Sequence, residues 1–415
     1  ARGGATLLNN AASAGAPRWA AGDDFQVEVQ SVCADNTVTP NFAAAVQLTP
    51  ESPFAPATGV LGLLQNGALA ATDFVAGTAT RSDANYSEVG NFTLRAQTAD
   101  YLGTGPVSGT ALVGRFTPHH FAVSTSTPEF GTACAAGGFS YLGQPFSYTV
   151  PPVITVTALN RQNNPTRNYT GPWWKITNAS LSGKTYTALT GSLDISAAPA
   201  IDPVIVDTGN GTGTLTFSSG AGFTFTRALP QSPFDSEIGL AINVADSDGI
   251  APASNPVQFG DATAGNGIAF DAGKPMRYGR LNLLNAYGPE ILPLPLPLRA
   301  EYYIDAASGW GSNQLDVCTL YASANLTLGP AWDGLGAGPT VAPAGSWALL
   351  GGTGDQLRLS APGSAGNVGL TLTVPPWLRL DLNGDGVWQE NPTARATFGI
   401  YKGNRRLIYM REAYR

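Results

Sequence analysis

Residues 377–415 read WLRLDLNGDGVWQENPTARATFGIYKGNRRLIYMREAYR. Their second half alternates apolar and basic residues in two short runs, Ala396 to Tyr401 and Leu407 to Met410, joined at Gly403-Asn404. Alternation sends successive side chains to opposite faces of a strand, and a Gly-Asn step between two such runs reads as a hairpin closing a β domain. Just ahead of it, Asp381-x-Asn383-x-Asp385-Gly386 carries hard oxygens at positions one, three and five of a loop, as a calcium site does. Val387 would add a carbonyl and Gln389 a further oxygen. Where such loops end on a bidentate Glu this one has Pro392, so Glu390 or another domain must supply that carboxylate. The competing reading is an ion-free Asx turn.

The same alternation recurs upstream. Phe25-Gln-Val27-Glu-Val29-Gln30 puts Phe25, Val27 and Val29 on one face, and Asn91 to Ala96 repeats the pattern. Charged residues are 12% of 415, while there are 50 Gly and 31 Pro. Exposed helix faces need Lys, Glu and Gln, which are scarce, whereas Gly and Pro serve the turns between short strands. The expected fold class is all-β. A net charge of −7 denies the chain the basic face that phosphates require, so no nucleic-acid partner is expected. No apolar run approaches the roughly 20 residues of a membrane helix. The opening ARGGATLLNN has neither the charged start nor the apolar centre of a signal peptide. The Lys-poor, turn-rich composition predicts an exported protein at the cell surface or outside the cell, where a disulfide would survive.

An internal repeat organises the first half. Residues 29–42, VQSVCADNTVTPNF, align with residues 156–169, VTALNRQNNPTRNY, at a constant offset. Asn36 matches Asn163, Thr39 matches Thr166, Asn41 matches Asn168 and Phe42 matches Tyr169. Asn41 and Asn168 are expected in turns, with left-handed backbone. Glu88-Val89-Gly90 matches Glu237-Ile238-Gly239 further on, with an insertion between. We expect a linker or leading strand over 1–22, a sandwich over 23–117, its repeat over 118–257, and a third sandwich over 258–415. Together they form tandem immunoglobulin-like sandwiches in an elongated array. In the third, Met276 to Asn285 reads as one strand and Leu298 to Ile304 as another. Between them, Pro at every second position from Pro293 to Pro297 removes ladder donors and demands an edge strand or polyproline II.

Few residues invite chemistry. Cys33, Cys134 and Cys318 allow one disulfide with a thiol left over, or a bridge to a partner beyond this chain; none forms a C-x-x-C pair. Asp246 and Asp248 make a second, weaker calcium candidate between the second and third sandwiches, or a plain hairpin turn. His119 and His120 are the only histidines; adjacent on a strand they point apart, which leaves a structural role at a joint. Trp173, Trp174, Trp310, Trp332 and Trp347 could stack on sugars or serve as core. Paired carboxylates of a hydrolase come together only in the fold, and the acidic residues here sit mostly in turns. Lys402, Arg405, Arg406, Arg411 and Arg415 make the C-terminus basic, as a solvated edge or a dock for an acidic partner. The expectation is no enzyme. The runners-up are a carbohydrate-binding adhesin and a secreted hydrolase.

Several words carry a resemblance: Val113-Gly-Arg-Phe-Thr-Pro118 with Phe121, Phe139-Ser-Tyr141-Leu-Gly-Gln144-Pro-Phe146, Asn168-Tyr-Thr-Gly171, Arg277-Tyr-Gly-Arg-Leu281 with Asn285-Ala286, Asp316-Val-Cys-Thr319, and Ala396 to Gly403 through Glu412. In this order they resemble the C-terminal region of the MshQ family of mannose-sensitive haemagglutinin (MSHA) pilus biogenesis proteins. The resemblance implies a type IV pilus system of a Gram-negative bacterium. It also implies an outer-membrane-associated role in pilus assembly or adhesion, with partners among surface or pilus proteins or further copies of the chain. Cys134 and Cys318 lie in these words and Cys33 does not, which implies a Cys134–Cys318 bridge.

Overall fold

A computed structural model describes residues 1–218, 222–329, 334–335 and 340–399. Its strands gather around three hydrophobic cores, and each helical element among the described residues is a single three-residue turn. The architecture is all-β. The second arm of the expected terminal hairpin, with Lys402 to Arg415, lies outside the described residues, as does Trp332.

The first sandwich contains β1 (Arg2–Gly3), β2 (Trp19–Ala20), β3 (Phe25–Gln30), β4 (Val46–Ala55), β5 (Thr78–Tyr86), β6 (Gly90–Thr98) and β7 (Val107–Thr117). In one sheet β3 lies between β1 and β5; the other runs β2, β7, β6, β4. Phe25 and Val27 point inward, and the Phe25 ring meets Phe116 at 5.4 Å across the core. Each such side chain taken from water contributes about 1.5–3 kcal/mol. Val29, expected on the same buried face, is only half-buried because the sandwich opens beside it.

The second sandwich has β8 (His120–Thr125), β9 (Val153–Leu159), β10 (Ser182–Ala188), β11 (Val204–Gly209), β12 (Thr212–Thr216), β13 (Ile238–Asn243) and β14 (Val257–Phe259). One sheet is ordered β8, β9, β12, β11 and the other β10, β13, β14. Its core runs past the expected boundary at 257, taking in Ile268, Met276 and Tyr278. Residues 276–285 are accordingly two strands. β15 (Pro275–Arg277) pairs with Ser140–Tyr141 and Phe234–Asp235 of the second sandwich, and β16 (Gly279–Leu283) belongs to the third. Tyr278 divides them by turning inward beneath the Arg227 guanidinium, 4.3 Å from the ring centre.

In the third sandwich, with β17 (Ala286–Gly288), β18 (Leu298–Asp305), β19 (Gly309–Ser312), β20 (Leu326–Leu328), β21 (Gly366–Leu372) and β22 (Thr393–Phe398), the sheets run β16, β18, β19 and β17, β22, β21, β20. The proline-alternating stretch contributes only Leu294–Pro295, paired at an edge with Arg358–Leu359 while Leu294, Leu296 and Leu298 point into the core.

The two repeat segments have the same turn, bond for bond. Cys33 N–H donates to the Thr37 carbonyl as Asn160 does to Asn164, and Asn36 to Cys33 as Asn163 to Asn160. Thr39 donates to Ser31 as Thr166 does to Ala158, and Phe42 to Thr39 as Tyr169 to Thr166. The left-handed positions are Asn36 and Asn163, with φ of 65° and 62°, and not Asn41 and Asn168 as expected.

Candidate functional site

The acidic loop is built from its own backbone. Asp381 accepts from Gly384 N–H at 2.8 Å and Gly386 N–H at 3.0 Å, one on each carboxylate oxygen. Asn383 Oδ1 accepts from Asp385 N–H at 3.1 Å, and Asp385 Oδ1 from Val387 N–H at 2.7 Å. These bonds curl the chain so that Gly384 and Gly386 take φ of 74° and 83°, which suits residues without a Cβ. Gln389 donates its backbone N–H to Val387 at 3.2 Å, and Glu390 Oε2 accepts from Leu382 N–H at 3.4 Å. Among the described residues no third acidic, histidine or cysteine side chain groups with Asp381 and Asp385. Calcium takes six to eight oxygens. Two carboxylates fall short of that number by themselves, and the Asn383 amide, the Val387 carbonyl and Gln389 are further oxygens the loop offers.

Trp388, at the end of this loop, was not singled out in the sequence. It meets Trp310 at 5.0 Å and Tyr278 at 5.5 Å, and Tyr303 closes on Trp310 at 5.7 Å. Arg280 lies 4.0 Å over the Trp310 ring and pairs with Glu301 at 2.6 Å. Burial pushes the Tyr278 hydroxyl up to about 12, with Arg227 opposing and Asp381 adding. The described tryptophans that could have stacked on sugars or served as core are dispersed, each packed against other side chains. Trp173 and Trp174 belong to the second core, Trp310 packs at the seam toward the third sandwich, and Trp347 sits beside Tyr321. None of the described ones is largely exposed.

The seam between the first and second sandwiches is polar and buried. Arg115, 1% exposed, forks onto Asp248 at 2.7 and 3.0 Å and donates to the Gly15 carbonyl at 2.6 and 3.0 Å. Arg18 adds a second cation 3.2 Å from Asp248. Asp246 accepts the N–H groups of Asp248 and Ile250 on one oxygen, each at 2.9 Å, and the Tyr169 hydroxyl on the other at 2.8 Å. The Asp246–Asp248 turn is thus a guanidinium seat at the first seam. It lies at the first seam and not between the second and third sandwiches, and two arginines already supply positive charge beside Asp248. Burial pushes the Asp248 carboxyl up, but the Arg115 bond and charge, with Arg18, outweigh it and hold it below its ordinary value.

Glu88 is buried at the same seam and accepts Arg167 N–H at 3.1 Å and Asn168 N–H at 3.2 Å. Burial raises its carboxyl, and these bonds only partly offset that. Asn168 returns with Oδ1 to Val60 N–H at 2.8 Å and Nδ2 to the Val60 and Val89 carbonyls at 2.8 and 3.1 Å. His119 and His120 lie here too. His119 precedes the strand, so the rings meet, Nδ1 to Nδ1 at 3.0 Å, with Asp23 3.8 Å from His119.

Family models match most of the chain: "DUF6701, third domain" over residues 88–271 and "DUF6701, fourth domain" over residues 277–413. This chain belongs to the DUF6701 family. The third-domain match begins at Glu88, the seam carboxylate, and the fourth at Arg277. No curated protein matches the chain. Among solved structures it is similar to the Yersinia pseudotuberculosis adhesin InvE, at 15% identity and a TM-score of 0.22, over 68% of this chain and 59% of that one. The chain therefore spans less than two-thirds of that structure's length.

The seam between the two DUF6701 domains is covalent. Cys134 and Cys318 form a disulfide with Cα atoms 5.6 Å apart, and Cys33 is free and exposed. Beside the bridge, the Tyr141 hydroxyl donates to Asp316 at 2.8 Å and accepts from Asn313 at 2.6 Å. Arg227 donates to the carbonyls of Trp388, Gly279 and Arg379 at 2.8 to 3.0 Å. Glu237, the repeat partner of Glu88, again ties down backbone, accepting Gly265 and Gly267 N–H at 3.0 and 2.8 Å and bonding the Lys274 ammonium.

Proposed function

We propose that the chain is a non-catalytic, exported surface scaffold, a pilus-associated or adhesive component whose work is to hold sandwich domains in fixed succession. The observation that carries this reading is the construction of the seams. One is locked by a buried Arg115–Asp248 pair and the Glu88 carboxylate, the other by the Cys134–Cys318 disulfide. A disulfide linking elements far apart in sequence suits an oxidising, extracytoplasmic setting, and the MshQ resemblance points the same way. Calcium at Asp381–Asp385 is part of this proposal only as a brace for the loop beside the second seam.

A second reading, sugar recognition, rests on the half-buried Trp310–Trp388 pair beside Arg280 and Glu301. One experiment separates the two. Surface appendages sheared from bacteria should carry the chain, and the purified protein should bind no glycan on an array. Retention of the chain in the cytoplasm would sink the scaffold reading. Glycan binding abolished by Trp310→Ala would put the adhesin reading in its place.

A further inference from the structure

An uncovered sheet edge invites pairing with another chain, and folded proteins cover, charge or kink their edges to prevent it. The second sandwich does so at β8, β10 and β14. Phe121 of β8 donates its N–H to the Ala251 carbonyl at 3.3 Å and bridges to Pro252. β10 carries Lys184 and bulges between Ser182 and Thr185, while β14 is three residues long and starts behind Pro256.

β11 has none of these devices. Among the described residues it pairs only with β12, and no strand lies along its other side. Val204 and Val206 point to solvent, 52% and 47% exposed, while Ile205 between them packs on the core. The strand's one charge is engaged within the molecule: Asp207 accepts the Thr170 hydroxyl at 2.8 Å, Gly171 N–H at 2.7 Å and Gly209 N–H at 2.9 Å. The register carries the uncharged character across the whole sheet. Val206 lies opposite Thr214, Thr214 opposite Thr155 and Thr155 opposite Ser124, and no Asp, Glu, Lys or Arg stands on that face.

We propose that β11 is a self-association edge. Two copies of the chain pair antiparallel along it, with Val206 facing its own counterpart, Val204 facing Thr208 and Ile205 facing Asp207. The strand is self-complementary in this register and in no neighbouring one. Opposed residues must share a face, so the two-fold is centred on a residue. Centred on Ile205, the ladder would bring in Pro203, which has no N–H to give. Centred on Asp207, it would set two like charges opposite each other. Centred on Val206, it packs valine on valine, keeps the two aspartates apart and joins the uncharged faces into one surface. Such a contact is isologous, so it closes at a dimer and does not grow into a fibre. A ladder this short makes a small interface, so association should be weak and reversible. The dimer would form whether or not the chain is exported.

Sedimentation velocity of the 415-residue chain over a concentration series should show a reversible monomer–dimer equilibrium. Val206→Lys, at an exposed position that leaves the core untouched, should stay monomeric throughout. A second variant reads the register itself. With Cys33→Ser removing the free thiol, Val206→Cys should form a disulfide between copies under mild oxidation, because opposed residues on paired strands lie about 5 Å apart. Val204→Cys, which faces Thr208 of the other copy, should cross-link far less. A chain monomeric at every concentration would overturn the proposal. So would a dimer that persists in Val206→Lys, or that cross-links equally through Val204→Cys, since association would then use another surface.

Discussion

At the scale of single residues, Arg115 and Asp248 decide the first seam. Each is largely withdrawn from water, and removing one partner of such a pair leaves the other charge buried. Asp248→Asn should cost about 3–5 kcal/mol, read by denaturant unfolding at neutral pH. The sign of the pH dependence follows from the lowered carboxyl. Its contribution is complete above the ordinary value of 3.8 and is lost as pH falls through the lower, folded value. The mutational cost should therefore shrink on acidification below that range, and a cost unchanged at low pH would refute the pairing. Asp381 raises a different question. If the loop takes calcium, saturation at about 100 times the dissociation constant adds about 2.7 kcal/mol. Chelator should then lower the melting temperature of the native chain but not of Asp381→Ala; no response to chelator would leave an Asx turn held by its own backbone.

At the scale of elements, the paired Asn turns are the sharpest feature. A β-branched residue in left-handed backbone costs about 1–2 kcal/mol, so Asn36→Val and Asn163→Val should each destabilise by that amount in equilibrium unfolding. Glycine at either position should be nearly neutral, and a large difference between the two sites would break the equivalence. These turns were legible in the sequence because they are local: Asn, Thr and an aromatic at fixed spacing dictate their own hydrogen bonds. β3 and β6 were legible too, since half-buried strands must alternate. The break at Tyr278 was read over: the apolar positions 276 and 278 give way to 281 and 283, a change of phase at Gly279, and the Tyr278 ring turns inward beneath Arg227. The place of the Asp246–Asp248 turn at the first seam was not legible either. An acidic turn looks alike whether its counter-charge is a metal or Arg115, which lies far away along the chain.

At the scale of the whole molecule, the described strands form sandwiches whose seams are tied by side chains distant in sequence, and the account stands or falls on those ties being real in the cell. Cys134 and Cys318 are separated by 184 residues, and closing so long a loop removes about 5 kcal/mol of denatured-chain entropy in the loop-closure model. Replacing both cysteines by serine should cost several kcal/mol in unfolding measured without reductant, and reductant should then have no further effect. The most direct test of a surface scaffold with an oxidised seam is thiol labelling on intact bacteria with a bulky, impermeant maleimide. The account predicts that Cys33 alone is modified, and that Cys134 and Cys318 react only after reduction and denaturation. Three reactive thiols without reduction, or a Cys33 that reacts only after lysis, would contradict it.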